Sequence, residues 1–332
     1  MLTQYKPQDE IVFQANANYW GDDDPTLQRL VYRIIPDDSA ALIAYQNGEI
    51  DMTAIPLADT DRFQGNPEQV RFAQLETYAI QYNVTKAPLD NPLVREAISR
   101  AIDRSTYVAA IHSDIGQPAL AWIPPGMPGA DPTAGQDLGF DPAAAQALLA
   151  QAGYPDGKDF PSVKLSIVDD QDTRLTAEFL KEQLSENLGI NVEVEPVEQG
   201  VFFDRYGAGD FQMTWLSWFA DYADPENWLP QQFATTGSFN VFGYSNAQVD
   251  ALLDQAATEL DQTRRFALYD QAQQIIIGEQ ALTPVYHPER NYLVKAKVAD
   301  LITTALDAEP GDWFLTNPRI MEMGAPASQP GE

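Results

Sequence analysis

Cysteine is absent from the 332 residues, and histidine occurs only 2 times. Thiol nucleophiles, disulfides and thiolate metal centres are therefore excluded, while the missing cysteines carry no information about redox compartment. His112 and His287 stand too far apart for a zinc-ligand spacing or a local hydrolytic triad, and read as packing or surface residues. Basic residues are scarce too, with 20 Lys and Arg against 49 Asp and Glu and a formal charge of -29. Phosphate recognition rests on clustered Lys and Arg, so nucleic acid is no partner for this chain, and the same sign disfavours anionic lipid. No uncharged apolar run approaches membrane-spanning length, and Met1-Leu2-Thr3-Gln4-Tyr5 has neither the basic nor the apolar region of a signal peptide. No cofactor and no metal are expected.

What remains is the composition of a folded protein, 44% hydrophobic and 11% aromatic, in a chain longer than one ordinary core. Two compact units of α/β class follow. Glu10 to Gln14 and Leu30 to Ile35 read as strands. A helix from Ser39, closed by Gly48, leads to another strand at Ile50 to Ile55, which together suggest a crossover unit. Arg71 to Asn83 is extended. Asp90-Asn91-Pro92 opens a helix whose stripe Leu93, Ala97, Ile98, Ala101 and Ile102 is expected to continue through Tyr107 to Ile111. The prolines and glycines of Ile123 to Gly129 exclude regular structure there. Strand Val163 to Val168, helix Leu175 to Leu188 ended by Gly189, and strand Ile190 to Val197 form the best-defined α/β unit. A short helix at Val201 to Tyr206 precedes an apolar, aromatic run, Phe211 to Trp218, that reads as a buried strand.

Beyond that strand the stretch Trp215 to Pro230 (W-L-S-W-F-A-D-Y-A-D-P-E-N-W-L-P) concentrates Trp215, Trp218 and Trp228 with Asp221, Asp224 and Glu226. Ligands of open α/β sheets collect at the carboxyl ends of strands. Asp224-Pro225 resembles a helix start, cap then first-turn proline, which leaves Asp221 as the acid with no local duty. Aromatic planes beside such a carboxylate suit a cationic or hydrogen-bonding ligand; the competing reading is core aromatics with turn acids. A hydrolase using Asp221 with Asp224 is a further alternative.

The order of motifs resembles the extracytoplasmic solute-binding proteins of the dipeptide and oligopeptide ABC transporters. The resemblance rests on Phe13 to Gly21 (F-Q-A-N-A-N-Y-W-G), Asn47-Gly48-Glu49-Ile50-Asp51, Asn91 to Arg104 (N-P-L-V-R-E-A-I-S-R-A-I-D-R) and Ala147 to Tyr154 (A-L-L-A-Q-A-G-Y). It continues through Trp218 to Leu229, Phe242-Gly243-Tyr244-Ser245-Asn246 and Pro284-Val285-Tyr286. It implies a two-lobed periplasmic-binding-protein clamshell, class II-like, with the first lobe incomplete. Residues 1–77 would be part of lobe I, 78–287 lobe II, 288–324 the return to lobe I, and 325–332 a disordered tail. It also implies a monomeric binder, not an enzyme, working in the periplasm or anchored on the extracytoplasmic face, that captures peptides between its lobes for a membrane permease.

By the same resemblance, Asp221 of Ala220-Asp221-Tyr222 would pair with the peptide's N-terminal ammonium. Trp215, Ser217, Trp218 and Phe219 would run beside the ligand, their backbone adding the peptide as a strand. Some oligopeptide binders place an Arg six residues before the Asp to meet the peptide carboxylate, where this chain has Trp215. That departure keeps open an oligosaccharide cargo stacked on Trp215, Trp218, Phe219 and Trp228, and a non-functional truncated fragment is a further alternative.

Overall fold

The computed structural model describes residues 1–20, 25–307, 309–310 and 319–320. The expected tail over 325–332, and residues 308, 311–318 and 321–324 of the expected return segment, lie outside the described residues.

In chain order the elements begin with β1 (Leu2–Lys6), β2 (Glu10–Gln14), β3 (Arg29–Arg33), α1 (Asp38–Gln46), β4 (Met52–Ala54), α2 (Thr60–Phe63), β5 (Gln69–Ala73) and β6 (Glu76–Tyr82). There follow α3 (Pro92–Arg100), α4 (Arg104–His112), β7 (Gln117–Pro118), α5 (Pro142–Gln151), β8 (Val163–Val168), α6 (Gln171–Leu188), β9 (Val192–Val197) and α7 (Gln199–Gly207). Then come β10 (Met213–Phe219), α8 (Pro230–Phe233), α9 (Ala247–Thr258), α10 (Gln262–Gly278), β11 (Leu282–His287) and β12 (Glu289–Val294). The described residues divide into one unit, made of those within 1–73 and 289–320, and a second of residues 74–288. Residues 74–77, which the resemblance placed in the first lobe, and Pro288, which it placed in the return segment, belong to the second unit, because Leu75 and Thr77 are buried there, β6 starts at Glu76 and the Pro288 carbonyl accepts from Gln74 N–H.

The first unit holds two three-stranded antiparallel sheets, β1-β2-β3 and β4-β12-β5. This corrects the crossover expected over β3-α1-β4. All five residues of β3 are paired with β2, and β4 finds its partner in β12 from the far end of the chain, so the two strands share no sheet. Helix α1 is capped by Asp37, whose carboxylate accepts from the Ala40 N–H. It buries Leu42 and Tyr45 against Ile55, Phe63 and Leu293.

The second unit is built on a six-stranded sheet of order β7-β11-β6-β10-β8-β9. The unit β8-α6-β9 is the parallel crossover read from the sequence. Asp170 caps α6 by accepting from Thr173 N–H, and Gly189 ends it at φ 68, a left-handed conformation that costs glycine little. Between those stops Ala177, Leu180, Leu184 and Leu188 repeat at helical spacing and pack into the main core. β10 lies between β8 and β6, parallel to the first and antiparallel to the second.

The helix begun at Pro92 does not run on through Tyr107. It ends at Arg100, with Ala101 as its cap, and a second helix starts at Arg104 behind Asp103, whose carboxylate accepts from the N–H groups of Ser105 and Thr106. An acid able to cap two free N–H groups outcompetes continuation of the stripe. Two arginines of this motif are structural clamps. Arg104, buried, donates to the carbonyls of Pro284, Ser99 and Ile102 and to Ser99 Oγ. Arg95 donates to the carbonyls of Gln280, Leu89, Asp90 and Glu279. Both histidines are packing residues. His112 stacks on Tyr286 at 4.0 Å and bonds Tyr107 Oη, and His287 Nδ1 lies 3.0 Å from Thr77 Oγ1. Burial depresses each pKa to about 4.

Candidate functional site

β10 is paired with β6 along its whole length, from Met213↔Tyr82 to Phe219↔Glu76. With β8 it pairs only at Met213 and Thr214. Just beyond its two ends, Asn83 N–H donates to the Gln212 carbonyl at 2.8 Å and Ala220 N–H to the Leu75 carbonyl at 2.9 Å. Backbone hydrogen-bonding direction alternates along a strand, so the even-numbered residues from Gln212 to Ala220 serve β6. The N–H and C=O groups of Ser217 and Phe219 therefore point to the other side, where among the described residues no strand stands beside them. A free strand edge inside a sheet is a template for one more strand.

Asp221 follows this edge directly, exposed and within two residues of Phe219. Asn227 positions it. This asparagine is 0% exposed; its Oδ1 accepts from Asp221 N–H at 3.0 Å and from Trp218 Nε1–H at 3.3 Å, while its Nδ2 donates to Asp221 Oδ2 at 2.9 Å. Asn227 is carried by the turn that Asp224 begins. Asp224 accepts from Glu226 N–H at 3.0 Å, and Arg265 clasps both its oxygens at 2.8 and 2.5 Å. Burial works against ionisation of Asp224, but the Arg265 fork and the Glu226 N–H hold its carboxyl below the usual range. Asp221 has no Lys or Arg partner among the described residues. Two acids three positions apart thus have opposite situations, one consumed by an arginine and one left with a neutral amide.

The other residues expected at the site divide. Trp218 is half-buried and meets Phe239 edge-to-face at 5.2 Å. Ser217 and Phe219 are half-buried on the free edge, and Ala220 is buried with its N–H spent on Leu75. Tyr222 is 43% exposed and donates to Glu226, a bond that, with some burial, pushes its pKa up to about 12. Trp215 is 5% exposed, stacked on Tyr78 at 5.6 Å and edge-on to Tyr107 at 5.8 Å. Trp228 is 0% exposed and lies against Trp122 at 5.2 Å. Of the aromatic planes considered for sugar stacking, Trp215 and Trp228 are thus core.

Asn227 and Phe239 were not singled out from the sequence. Asn227 had one weak signal, an Asn inside a turn already marked by Asp224-Pro225 and leading into apolar Trp228-Leu229. Phe239 had none, since its contact with Trp218 depends on the path of the intervening loop. Among the described residues no group of three or more His, Cys, Asp or Glu could hold a metal ion, and no helix is long and apolar enough to cross a membrane.

Comparison with known proteins agrees with this architecture. A dipeptide-binding protein, DppE of Bacillus subtilis, is 27% identical over 91% of this chain and 56% of its own length. Heme-binding protein A of Haemophilus influenzae is 30% identical over 86% of this chain and 53% of its own length. Among solved structures, the periplasmic binding protein DppA from Helicobacter pylori in complex with the peptide STSA superposes with a TM-score of 0.81 at 28% identity, over 97% of this chain and 62% of that one. The chain thus spans little more than half the length of the curated relatives it matches. The family model of the bacterial extracellular solute-binding proteins, family 5 (middle part), matches residues 1–240, and the chain belongs to that family.

Proposed function

We propose that this chain carries the ligand-holding strand of a substrate-binding protein that captures peptides and hands them to an ABC permease. It would work as a monomer on the extracytoplasmic face, in the periplasm or anchored to the membrane, and it releases its cargo unchanged. The reading is carried by one observation, that the free edge of β10 runs into a carboxylate that no cation meets among the described residues. A peptide lying along Ser217 and Phe219 exchanges main-chain hydrogen bonds and brings its ammonium to Asp221. Main-chain pairing reads direction and spacing and ignores side chains, so selectivity for peptide sequence is broad. An ammonium drawn out of water needs a full countercharge, and losing one member of such a buried pair costs about 3 to 5 kcal/mol.

Two of the four aromatic planes that a stacked oligosaccharide would use are core, which weighs against sugar cargo. Asp224, committed to Arg265 and to its cap, does not offer the second carboxylate that a hydrolytic pair requires. Calorimetry with trialanine and with maltotriose tests the proposal, followed by mass spectrometry of the recovered ligand. Binding of the peptide and its recovery intact support it. Binding of the sugar alone, or cleavage of either compound, overturns it.

A further inference from the structure

We infer that Asn227 is the positioning residue of this site, fixing the Asp221 carboxylate and the Trp218 indole as one unit and leaving Asp221 Oδ1 to the ammonium of a peptide. The inference rests on the peptide reading of Asp221 and deepens it. Asn227 is fully buried, so each polar atom of its amide must find a partner or cost stability. Its oxygen is doubly used, by Asp221 N–H and Trp218 Nε1–H, and its nitrogen donates to Asp221 Oδ2. An amide has one accepting and one donating end, and this one turns both on the two residues that the ligand would meet.

The consequence for Asp221 is directional. A carboxylate accepts on both oxygens; Oδ2 is occupied by Asn227, and no hydrogen bond to Oδ1 is present among the described residues. The side chain is therefore held at one oxygen with the other free, and its backbone is held by the same amide through the Asp221 N–H. Without Asn227 the exposed carboxylate can rotate toward water, and ordering it again at each binding event costs side-chain entropy. A neutral donor fixes the geometry without neutralising the charge, which an arginine in the same place would do, as Arg265 does for Asp224.

Calorimetry on wild type and Asn227→Ala with trialanine and N-acetyl-trialanine tests this. The wild type should prefer the free amine by about thirtyfold or more, and Asn227→Ala should reduce that preference to about threefold, with the acetylated peptide changed by less than about threefold. A residue that merely supports the fold would weaken both peptides together, so loss of both with an unchanged ratio overturns the inference, as does an unchanged preference. If the wild type itself shows no preference for the free amine, it is the reading of Asp221 that has failed. Should Asn227→Ala not fold, the side-chain amide resonance of Asn227 in wild-type protein decides. It should shift on saturation with trialanine and stay in place with the acetylated peptide, and a resonance unmoved by trialanine contradicts the role.

Discussion

Arg265 grips Asp224 through both ends of its guanidinium, at 2.8 and 2.5 Å, while the Asp221 side chain, three residues earlier, is met among the described residues only by the neutral amide of Asn227. That difference turns one acid into a structural anchor and leaves the other available. Each side chain of the Arg265–Asp224 pair is about one-fifth exposed, and removing one member of such a pair leaves a partly buried charge unmet. Arg265→Ala should therefore lower stability by about 1 to 3 kcal/mol, visible as a lower Tm in a thermal melt. Because the Asp224 turn carries Asn227, peptide affinity should fall in the same variant.

The free edge makes a sharper demand. Ser217→Pro removes an N–H that faces away from β6, so no rung of the β10–β6 ladder is lost. Proline is tolerated where the missing donor faces outward, and the extended residue before it suits its ring. Tm should change little while affinity for trialanine falls by about tenfold or more. Calorimetry showing undiminished binding would mean that the peptide does not pair with this edge.

Arg104 tests the reading of the Asn91 to Arg104 motif as architecture. Its guanidinium serves three carbonyls and a hydroxyl in a buried setting. Arg104→Met should cost about 3 kcal/mol or more, because those acceptors are left dry and unpaired. Lysine cannot reproduce the fork, so Arg104→Lys should recover little of the loss. Chemical denaturation of the two variants measures both effects.

Acid stability follows from the histidines. Burial depresses the pKa of His112 and of His287 from 6.5 to about 4, so the unfolded chain takes up these protons at higher pH than the folded one. Stability rises with pH wherever the unfolded state binds more protons. The contribution of these groups is thus complete above about pH 6.5, declines as pH falls through that value, and is gone below about pH 4. Each contributes on the order of 3 kcal/mol as an upper bound. Urea unfolding of His287→Gln should show a shallower pH dependence across that window than the wild type.

Much of the second unit was legible because its signals are local. Asp170 and Gly189 bracket α6, and its apolar residues keep helical spacing between them. The aromatic run before Asp221 became β10 with a shift of two residues at its start, since Phe211 and Gln212 lie outside the strand. What could not be read depended on partners remote in sequence. β4 looked like the return of a crossover until β12, from the other end of the chain, proved to be its neighbour. The break between α3 and α4 was decided by capping at Asp103 against an uninterrupted apolar stripe. At the site, the strand and the odd acid were visible, whereas Trp215 and Trp218 look alike in sequence and only the fold sends one to the core and the other to Asn227.

The most direct test is the affinity of trialanine for the wild type and for Asp221→Asn, measured by calorimetry beside the Tm of each free protein. A loss of about tenfold or more is expected with Tm nearly unchanged, because Asp221 is exposed and, among the described residues, takes part in no ion pair. Equal affinity in the two proteins would contradict it.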